Sequence, residues 1–144
     1  LKPIYQEATA YGSPRILFSA HSLPQKVIDA GDPYQEQTIQ TAKAIIKTFG
    51  TDIDYQVCYQ SRVGRLKWLE PTTEAEIKRA AIDKVPVVVV PISFVSEHSE
   101  TLVELDIDYK NMAVSMGVSF YGRVPTLSCH PLFIETLKKK VLDF

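Results

Sequence analysis

Acidic residues are concentrated between Phe94 and Lys110, in the segment FVSEHSETLVELDIDYK. If this segment is helical, Glu100, Glu104 and Asp108 recur every four residues and rise along one face by roughly 6 Å per step. Like charges at this spacing repel by roughly 0.2–0.5 kcal/mol per pair, and no lysine or arginine lies between Glu100 and Asp108. Such a row is either a solvated polar face or a series of closely spaced proton acceptors. Its repulsion is expected to raise at least one carboxyl pKa toward neutral pH.

Histidines lie near these acids in the sequence and in the expected fold. His98 stands between Glu97 and Glu100, whereas His21 follows an earlier predicted strand. A neutral imidazole that faces carboxylates can accept a proton near pH 7, since its reference pKa is about 6.5. The same groups can bind a divalent metal through nitrogen and oxygen. Structural roles remain open as well, because a loop histidine often bonds to nearby backbone and His98 could cap or pack against a helix.

Hydrophobic periodicity predicts the elements that position these residues. Short β-branched or aromatic runs predict strands at 15–20, 52–60 and 85–94. Amphipathic periodicity and capping residues predict helices at 33–50, 72–84, about 99–116 and 131–144, with an extended piece around 118–121. On the third helix, the apolar residues expected to form a buried stripe are Leu102, Leu105, Tyr109, Met112, Ala113 and Met116.

This alternating order predicts the fold class and the place of the site. It is typical of an α/β domain, here spanning residues 1–144, with a parallel sheet and helices on both of its faces. Ligands of such sheets bind beyond the carboxyl ends of the strands. The loops after the three predicted strands should therefore meet at one edge, which brings His21 toward Glu97, His98 and Glu100.

Apolar side chains in these loops suggest the kind of ligand. Leu23, Trp68 and Phe94 lie in or beside the three loops, and a rim of this composition suits a large, flat, apolar ligand. Ordinary anchoring of the loops is the alternative for each of them.

The composition limits the other classes of function. The formal net charge of −1 gives no reason to expect nucleic acid, and no apolar run approaches the roughly 20 residues that span a bilayer. The chain also lacks a glycine-rich phosphate loop and a G-x-S-x-G nucleophile motif. Cys58 and Cys129 have neither metal-site nor disulfide spacing, so both are expected to be buried apolar residues in a protein of a reducing compartment.

Four ordered motifs resemble those of one enzyme family. The series consists of LFSAHSLP with GDPY, then YQSRVG followed by WL, then PISFVSEHSETLVELDIDY, and finally RVPTLSCHPLFIETL. From about Ile16 to the end of the chain they resemble ferrochelatase, the enzyme that inserts ferrous iron into a porphyrin to make haem. The last motif is most similar to enzymes of the Gram-negative, alphaproteobacterial type.

The resemblance implies a chelatase-like architecture of two similar, Rossmann-like α/β lobes with the active site between them. This chain would be the carboxyl-terminal lobe. The amino-terminal lobe would be its missing partner, and the chain alone would be inactive; the absence of an initial methionine also fits a fragment. The expected enzyme is a cytoplasmic lyase that inserts ferrous iron into protoporphyrin IX, with room for peripheral contact with the inner membrane.

The same resemblance implies roles for individual residues. His21 and Glu100 would be the catalytic pair and would also bind the metal. The expected relay for protons or metal comprises Glu97, His98, Glu104 and Asp108. The expected porphyrin contacts are Leu23, Trp68 and Phe94. No resident cofactor is expected, because iron is a substrate, and no iron–sulfur cluster either, because the carboxyl-terminal cysteines that bind it in some members are absent.

Two other functions remain open from the sequence. A sirohydrochlorin or cobalt chelatase would share the fold and the reaction type, but its multiply carboxylated substrate calls for a more basic pocket than these loops offer. The basic residues in the loops are Lys26, Arg62, Arg65 and Lys67. A non-catalytic module that binds metal or haem is the second alternative. Arg65 also stands where many ferrochelatases have proline, so the shape of that loop is open.

Overall fold

The computed structural model describes residues 1–50 and 52–143. Its centre is a parallel sheet of four strands in the order β2-β1-β3-β4. The strands are β1 (Arg15–His21), β2 (Tyr55–Gln60), β3 (Val87–Pro91) and β4 (Tyr121–Arg123). The helices are α1 (Lys2–Thr9), α2 (Gln25–Asp29), α3 (Tyr34–Lys47), α4 (Thr73–Asp83), a π-helix (Glu100–Tyr109), α5 (Lys110–Ser115) and α6 (Pro131–Leu142). The predicted α/β class with a parallel sheet is confirmed.

Side chains of the central strand β1 alternate between two hydrophobic clusters. Leu17 packs with Ile77 of α4 and Leu105 of the π-helix on one face of the sheet. Phe18 packs on the opposite face with Ala42 of α3. Because both faces are covered by helices, β1 and β3 are buried almost throughout, as expected for inner parallel strands. Helices on both faces are therefore confirmed as well.

The predicted third helix is two helices of different kinds. It begins as the π-helix and continues as α5. A π-helix is wound more widely than an α-helix because its hydrogen bonds join residues i and i+5. Its buried side chains, together with the buried residue of α5, are four residues apart: Thr101, Leu105, Tyr109 and Ala113.

The wider winding changes which side chains of the expected stripe are buried. Leu105, Tyr109 and Ala113 are buried, as predicted, and Met112 is partly buried against the same cluster. The prediction is wrong for Leu102 and Met116, which are 47% and 41% exposed. Leu102 is turned outward because the wide turn does not keep residues three apart on one face. Met116 follows the last residue of α5 and lies at the turn into Gly117.

Several element boundaries also differ from the predictions. β3 ends at Pro91, three residues early, because the chain turns there and the Phe94 amide donates back to the Pro91 carbonyl. β4 begins at Tyr121, since Val118 instead packs into the core at the end of α5. The short helices α1 and α2 are additional to the prediction.

The two cysteines lie in opposite environments. Cys58 on β2 is buried, as predicted, and burial raises the pKa of its thiol to about 12. Cys129 is exposed, so its predicted burial is wrong. It lies immediately before α6, a helix whose described residues include no fully buried side chain. Among the helices within residues 1–50 and 52–143, none combines the length and the apolar composition that crossing a membrane requires.

Candidate active site

The carboxyl ends of β1 and β2 meet the first turns of the π-helix. At the end of β1, the His21 amide donates to Ser93 Oγ at 3.0 Å, and the His21 carbonyl accepts from the Tyr34 hydroxyl at 2.8 Å. Backbone bonds on both sides therefore fix this residue. Its Nδ1 lies 2.7 Å from Glu100 Oε2, with the two side chains 41% and 33% exposed. The fold thus brings together the two residues predicted as the catalytic pair.

The contact between His21 and Glu100 determines which ring nitrogen is free. An ionised carboxylate only accepts hydrogen bonds, so Nδ1 of His21 must donate to it. In the neutral ring, Nε2 then presents an unshared pair and can accept a proton or bind a metal. The Glu100 carboxylate thereby fixes both the tautomer and the orientation of the imidazole.

The pKa of Glu100 departs from the sequence expectation. Burial alone would raise it, but hydrogen bonds from His21 and Ser61 and the nearby imidazoles lower the pKa of this carboxyl below its ordinary value. The expected direction, upward through repulsion within the acidic row, is therefore not found at Glu100. Local donors outweigh the repulsion at this position, so Glu100 remains ionised near neutral pH.

Glu104 lies in a dense set of hydrogen bonds. Ser61 donates its backbone N–H to Glu104 Oε1 at 2.9 Å, and the Ser61 hydroxyl lies 2.5 Å from Oε2. The Gln60 amide donates to Oε2 at 3.0 Å and the Tyr109 hydroxyl to Oε1 at 2.8 Å. Since the Ser61 hydroxyl also lies 3.0 Å from Glu100 Oε2, one residue contacts both carboxylates.

Three residues of this cluster were missed by sequence reasoning. Gln60 and Ser61 belong to the YQSRVG motif, whose position at the end of a strand was a usable signal. Tyr109 was assigned to the buried apolar stripe. Its ring is indeed buried, but its hydroxyl reaches the site, and burial followed by the nearby Glu104 charge raises its pKa.

Glu97 and Asp106 form a separate cluster around Arg123 of β4. Arg123 Nη1 donates to Glu97 Oε1 at 2.6 Å, and its Nε donates to Asp106 Oδ1 at 2.8 Å, with a second bond from Nη2 to Oδ2. Hydrogen bonds to Asp106 raise the pKa of Arg123. At Glu97, burial would raise the pKa, but the bonds from its neighbours, including the Thr126 amide, lower it to about 2. The segment's acidity is thus partly balanced by an arginine from outside it.

His98 caps the beginning of the π-helix. Its Nδ1 accepts from the Glu100 amide at 3.1 Å, and its carbonyl accepts from the amides of Thr101 and Leu102. Its ring packs against Phe94 with the ring centroids 4.9 Å apart. The capping and packing roles left open by the sequence are therefore both present.

The expected porphyrin contacts occupy different surroundings. Phe94 is 9% exposed and lines an apolar cavity of about 240 Å³. Leu23 packs against the core, and its carbonyl accepts from the Leu69 amide at 3.0 Å. Trp68 pairs with Pro24 through an isolated bridge, and its enclosed indole N–H has no hydrogen-bond partner within the described part of the chain. Leu23 and Trp68 thus join the loops after β1 and β2.

The remaining member of the acidic row, Asp108, lies one turn beyond Glu104 with an exposed side chain. Within residues 1–50 and 52–143, no group of three or more His, Cys, Asp or Glu side chains is arranged to hold a metal ion. His21 and Glu100 could therefore supply two ligands, and a metal bound there would need others from water or a substrate.

The sequence matches known proteins over nearly its whole length. The family model described as Ferrochelatase matches residues 2–143. A ferrochelatase of Wolbachia sp. subsp. Brugia malayi is 55% identical over 134 residues, covering 92% of this chain and 38% of that protein. The ferrochelatase of Rickettsia bellii (strain OSU 85-389) is 53% identical over 90% of the chain and 37% of its own length. A third, from Sulfurihydrogenibium sp. (strain YO3AOP1), is 53% identical over 88% of the chain and 38% of that protein.

This chain thus spans about two fifths of the length of these curated relatives. The match covers β1 to β4, His21 and the whole π-helix. The chain belongs to the ferrochelatase family.

Proposed function

We propose that the full-length protein inserts ferrous iron into protoporphyrin IX, as a lyase that forms metal–nitrogen bonds. The observation that supports it most directly is the 2.7 Å contact between His21 Nδ1 and Glu100 Oε2. This contact leaves Nε2 of His21 available on a half-exposed imidazole at the carboxyl edge of the sheet. Membership of the ferrochelatase family supports the reaction class.

The reaction needs a base, because two pyrrole protons must leave the porphyrin as the metal enters. We assign His21 Nε2 as the acceptor of a pyrrole proton. The imidazolium formed by this step would be stabilised by the ionised Glu100 carboxylate at Nδ1. Positioned general bases of this kind contribute typically about 10²–10⁴-fold to rate.

The acidic row provides a route away from His21. Glu100 and Glu104 both contact the Ser61 hydroxyl, and exposed Asp108 follows one turn later. We propose that protons leave, or iron arrives, along Glu100, Glu104 and Asp108 in that order. The ion pair of Glu97 with Arg123 favours a structural task for Glu97, and the backbone bonds of His98 favour a capping task.

Ferrous iron would be a transient substrate of this site. His21 Nε2, before it accepts a proton, or a Glu100 oxygen would be the donor of this chain that receives it, and both nitrogen and oxygen donors suit iron. Water and the porphyrin nitrogens would complete its coordination. Iron is thus a substrate of the proposed enzyme rather than a resident cofactor.

The porphyrin would lie against the loops that contain Leu23, Trp68 and Phe94. We propose that part of the pocket wall comes from outside this chain and covers His21, whose side chain is 41% exposed here. This part of the wall would be supplied by the remainder of the protein, which corresponds to the other three fifths of the relatives' length. We propose that this remainder forms the other lobe and that the enzyme acts in the cytoplasm without binding nucleic acid.

The test compares His21→Ala and Glu100→Gln with the parent in the full-length protein. We expect the kcat for zinc or iron insertion to fall at least about 100-fold in His21→Ala, since the proton acceptor is lost, while porphyrin binding is retained. Insertion is measured by visible absorbance and binding by porphyrin fluorescence. His130→Ala is the matched control, because His130 is exposed and lies at the start of α6.

Different results would support the two alternatives. A parent that binds porphyrin or metal without turnover would indicate a non-catalytic module. A parent that metallates sirohydrochlorin but not protoporphyrin would indicate the other chelatase class. Undiminished insertion by His21→Ala would contradict the proposed role of the imidazole.

A further inference from the structure

We propose that Gln60 and Ser61 are positioning residues that hold Glu100 and Glu104 together and keep Glu100 turned toward His21. Gln60 is the last residue of β2, and Ser61 follows it. The inference rests on the function proposed above and adds to it the groups that set the geometry of the carboxylates. We call these two residues the carboxylate clamp.

The first half of the clamp is the Gln60 side chain, which is 1% exposed. Its amide nitrogen donates to the Glu100 backbone carbonyl at 2.9 Å and to Glu104 Oε2 at 3.0 Å. One amide group thus holds the backbone of the first glutamate and the side chain of the second. This ties the first turn of the π-helix to the end of β2.

A buried polar chain fixes the direction of the Gln60 amide. Its oxygen accepts from Ser19 Oγ at 2.7 Å, and Ser19 Oγ lies 2.7 Å from Thr73 Oγ1. Thr73 in turn contacts Cys58 Sγ at 3.3 Å. All of these residues are almost completely buried. Reversing the amide would place its oxygen against the Glu104 carboxylate in a region where an unsatisfied polar group costs about 1–3 kcal/mol.

The second half of the clamp is Ser61, which uses both its backbone and its side chain. Its N–H bonds to Glu104 Oε1 at 2.9 Å, while its hydroxyl reaches Glu104 Oε2 and Glu100 Oε2. The hydroxyl has one hydrogen, so it can donate to only one of these carboxylates at a time. Together with Gln60, it places donors between two like charges that would otherwise repel each other.

The backbone of Ser61 lies in the left-handed region, with φ of +62°. A residue other than glycine costs roughly 1 kcal/mol or more in this conformation. Glycine would relieve this strain, so the structure itself does not require serine here. The serine does provide the hydroxyl that contacts both carboxylates, which points to a role in the site.

The clamp predicts a particular kinetic effect. Gln60 and Ser61 act on Glu100 and Glu104, and neither is assigned a contact with the substrate. Loss of the hydroxyl should therefore lower kcat and leave the KM for porphyrin nearly unchanged. Misplacement of reacting groups by about 1 Å can cost roughly 100-fold in rate, so we expect a fall of about 10- to 100-fold.

The test replaces Ser61 by glycine in the full-length protein and measures kcat and KM for metal insertion. Ser61→Gly removes the hydroxyl, retains the backbone donor and suits the positive φ, so it should fold. Ser128→Gly is the matched control, because Ser128 is also a non-glycine residue with positive φ (+41°) but is exposed on the turn before α6. The control should keep the kcat of the parent.

A double-mutant cycle separates positioning from a general structural effect. If Ser61 acts through Glu104, Ser61→Gly should lower kcat much less in a Glu104→Gln background than in the parent. Equal kcat in Ser61→Gly and an active parent would overturn the inference, as would full additivity in the cycle. A parent without insertion activity would instead overturn the proposed function, and the inference with it.

Discussion

At the scale of single residues, the acidic segment divides into groups with different partners. Glu100 contacts His21 and Ser61, and Glu104 contacts Gln60, Ser61 and Tyr109. Glu97 and Asp106 instead pair with Arg123, whose side chain is only 9% exposed. The type of partner, rather than the number of charges nearby, therefore decides what each carboxylate can do.

The ion pair of Glu97 gives a pH-dependent prediction for stability. The pKa of Glu97 in the folded protein is about 2, below its ordinary value of 4.5. A carboxyl whose pKa is depressed on folding stabilises the protein above its ordinary pKa, and this stabilisation is lost as the pH falls toward the folded value. Glu97→Gln should therefore lower the unfolding free energy at pH 7 by about 1 kcal/mol, a modest amount because the carboxylate is partly solvated.

Urea unfolding between pH 7 and pH 2 provides the measurement. The variant should lose less stability than the parent between about pH 5 and pH 2, because the titrating group has been removed. Glu135→Gln is the control, since the exposed Glu135 pairs with Lys139 on α6 and should change stability by less than about 0.5 kcal/mol. Identical pH dependence in Glu97→Gln and the parent would contradict the assignment.

At the scale of elements, the π-helix turns one row of side chains toward the sheet. Leu105 and Tyr109 pack in the same cluster as Leu17 of β1 and Val89 of β3, and Thr101 is buried as well. Glu100 and Glu104 then remain at the margin of the buried face, where the end of β2 can reach them. The bidentate pair of Arg123 with Asp106 also fastens the middle of the helix to β4.

The helix α4 allows a test of how far local capping stabilises the sheet that supports the site. The Thr72 hydroxyl accepts from the Ala75 amide at 3.1 Å, the usual bond of a helix N-cap. Thr72→Ala should lower the unfolding free energy by about 1 kcal/mol, because a first-turn N–H loses its partner. Thr136→Ala on α6 is the matched control. The hydroxyl of Thr136 bonds back to the Leu132 carbonyl on an exposed helix, and its loss should be nearly neutral.

Thermal unfolding of the two threonine variants is the measurement. Equal melting temperatures for Thr72→Ala and Thr136→Ala would contradict the prediction, because they would show that the hydrogen bond of the Thr72 hydroxyl adds no stability.

At the scale of the whole molecule, the candidate site is open to solvent. His21 and Glu100 are partly exposed, and beside the acidic row Leu102, Val103 and Ile107 are 46–50% exposed. A reaction that bends a macrocycle and moves its protons benefits from a closed, water-excluding pocket. The chain covers about two fifths of the length of its relatives, and we propose that a further part of the protein closes this site.

We therefore expect the isolated 144-residue chain to show no metal insertion. The measurement compares zinc insertion into protoporphyrin by this chain, by the full-length protein, and by the chain mixed with the separately expressed remainder. Activity of the full-length protein alone, or its recovery on mixing, would agree with the prediction. Turnover by the isolated chain would contradict it.

Much of the fold could be predicted from local patterns, and the exceptions have physical causes. The apolar runs of β1 and β3 and the capped α4 indicated a parallel sheet with helices on both faces. Periodicity could not indicate the π-helix, because acids spaced four apart, such as Glu100 and Glu104, suit either winding. It also could not place Cys129, whose exposure follows from how little the segment around α6 packs on the core.

The sequence by itself determined the order of elements, the sheet edge at which ligands should bind, and the motifs containing His21 and Glu100. These features could be predicted because hydrophobic spacing and the residues that end a strand or helix involve only neighbours in the sequence. Only the tertiary structure decided that Arg123 neutralises Glu97 and Asp106, and that Gln60 and Ser61 bind Glu100 and Glu104. These contacts join residues 17 to 44 positions apart, and those of Ser61 also depend on a left-handed backbone. Hydrogen bonds depend on distances in space that spacing along the chain does not encode.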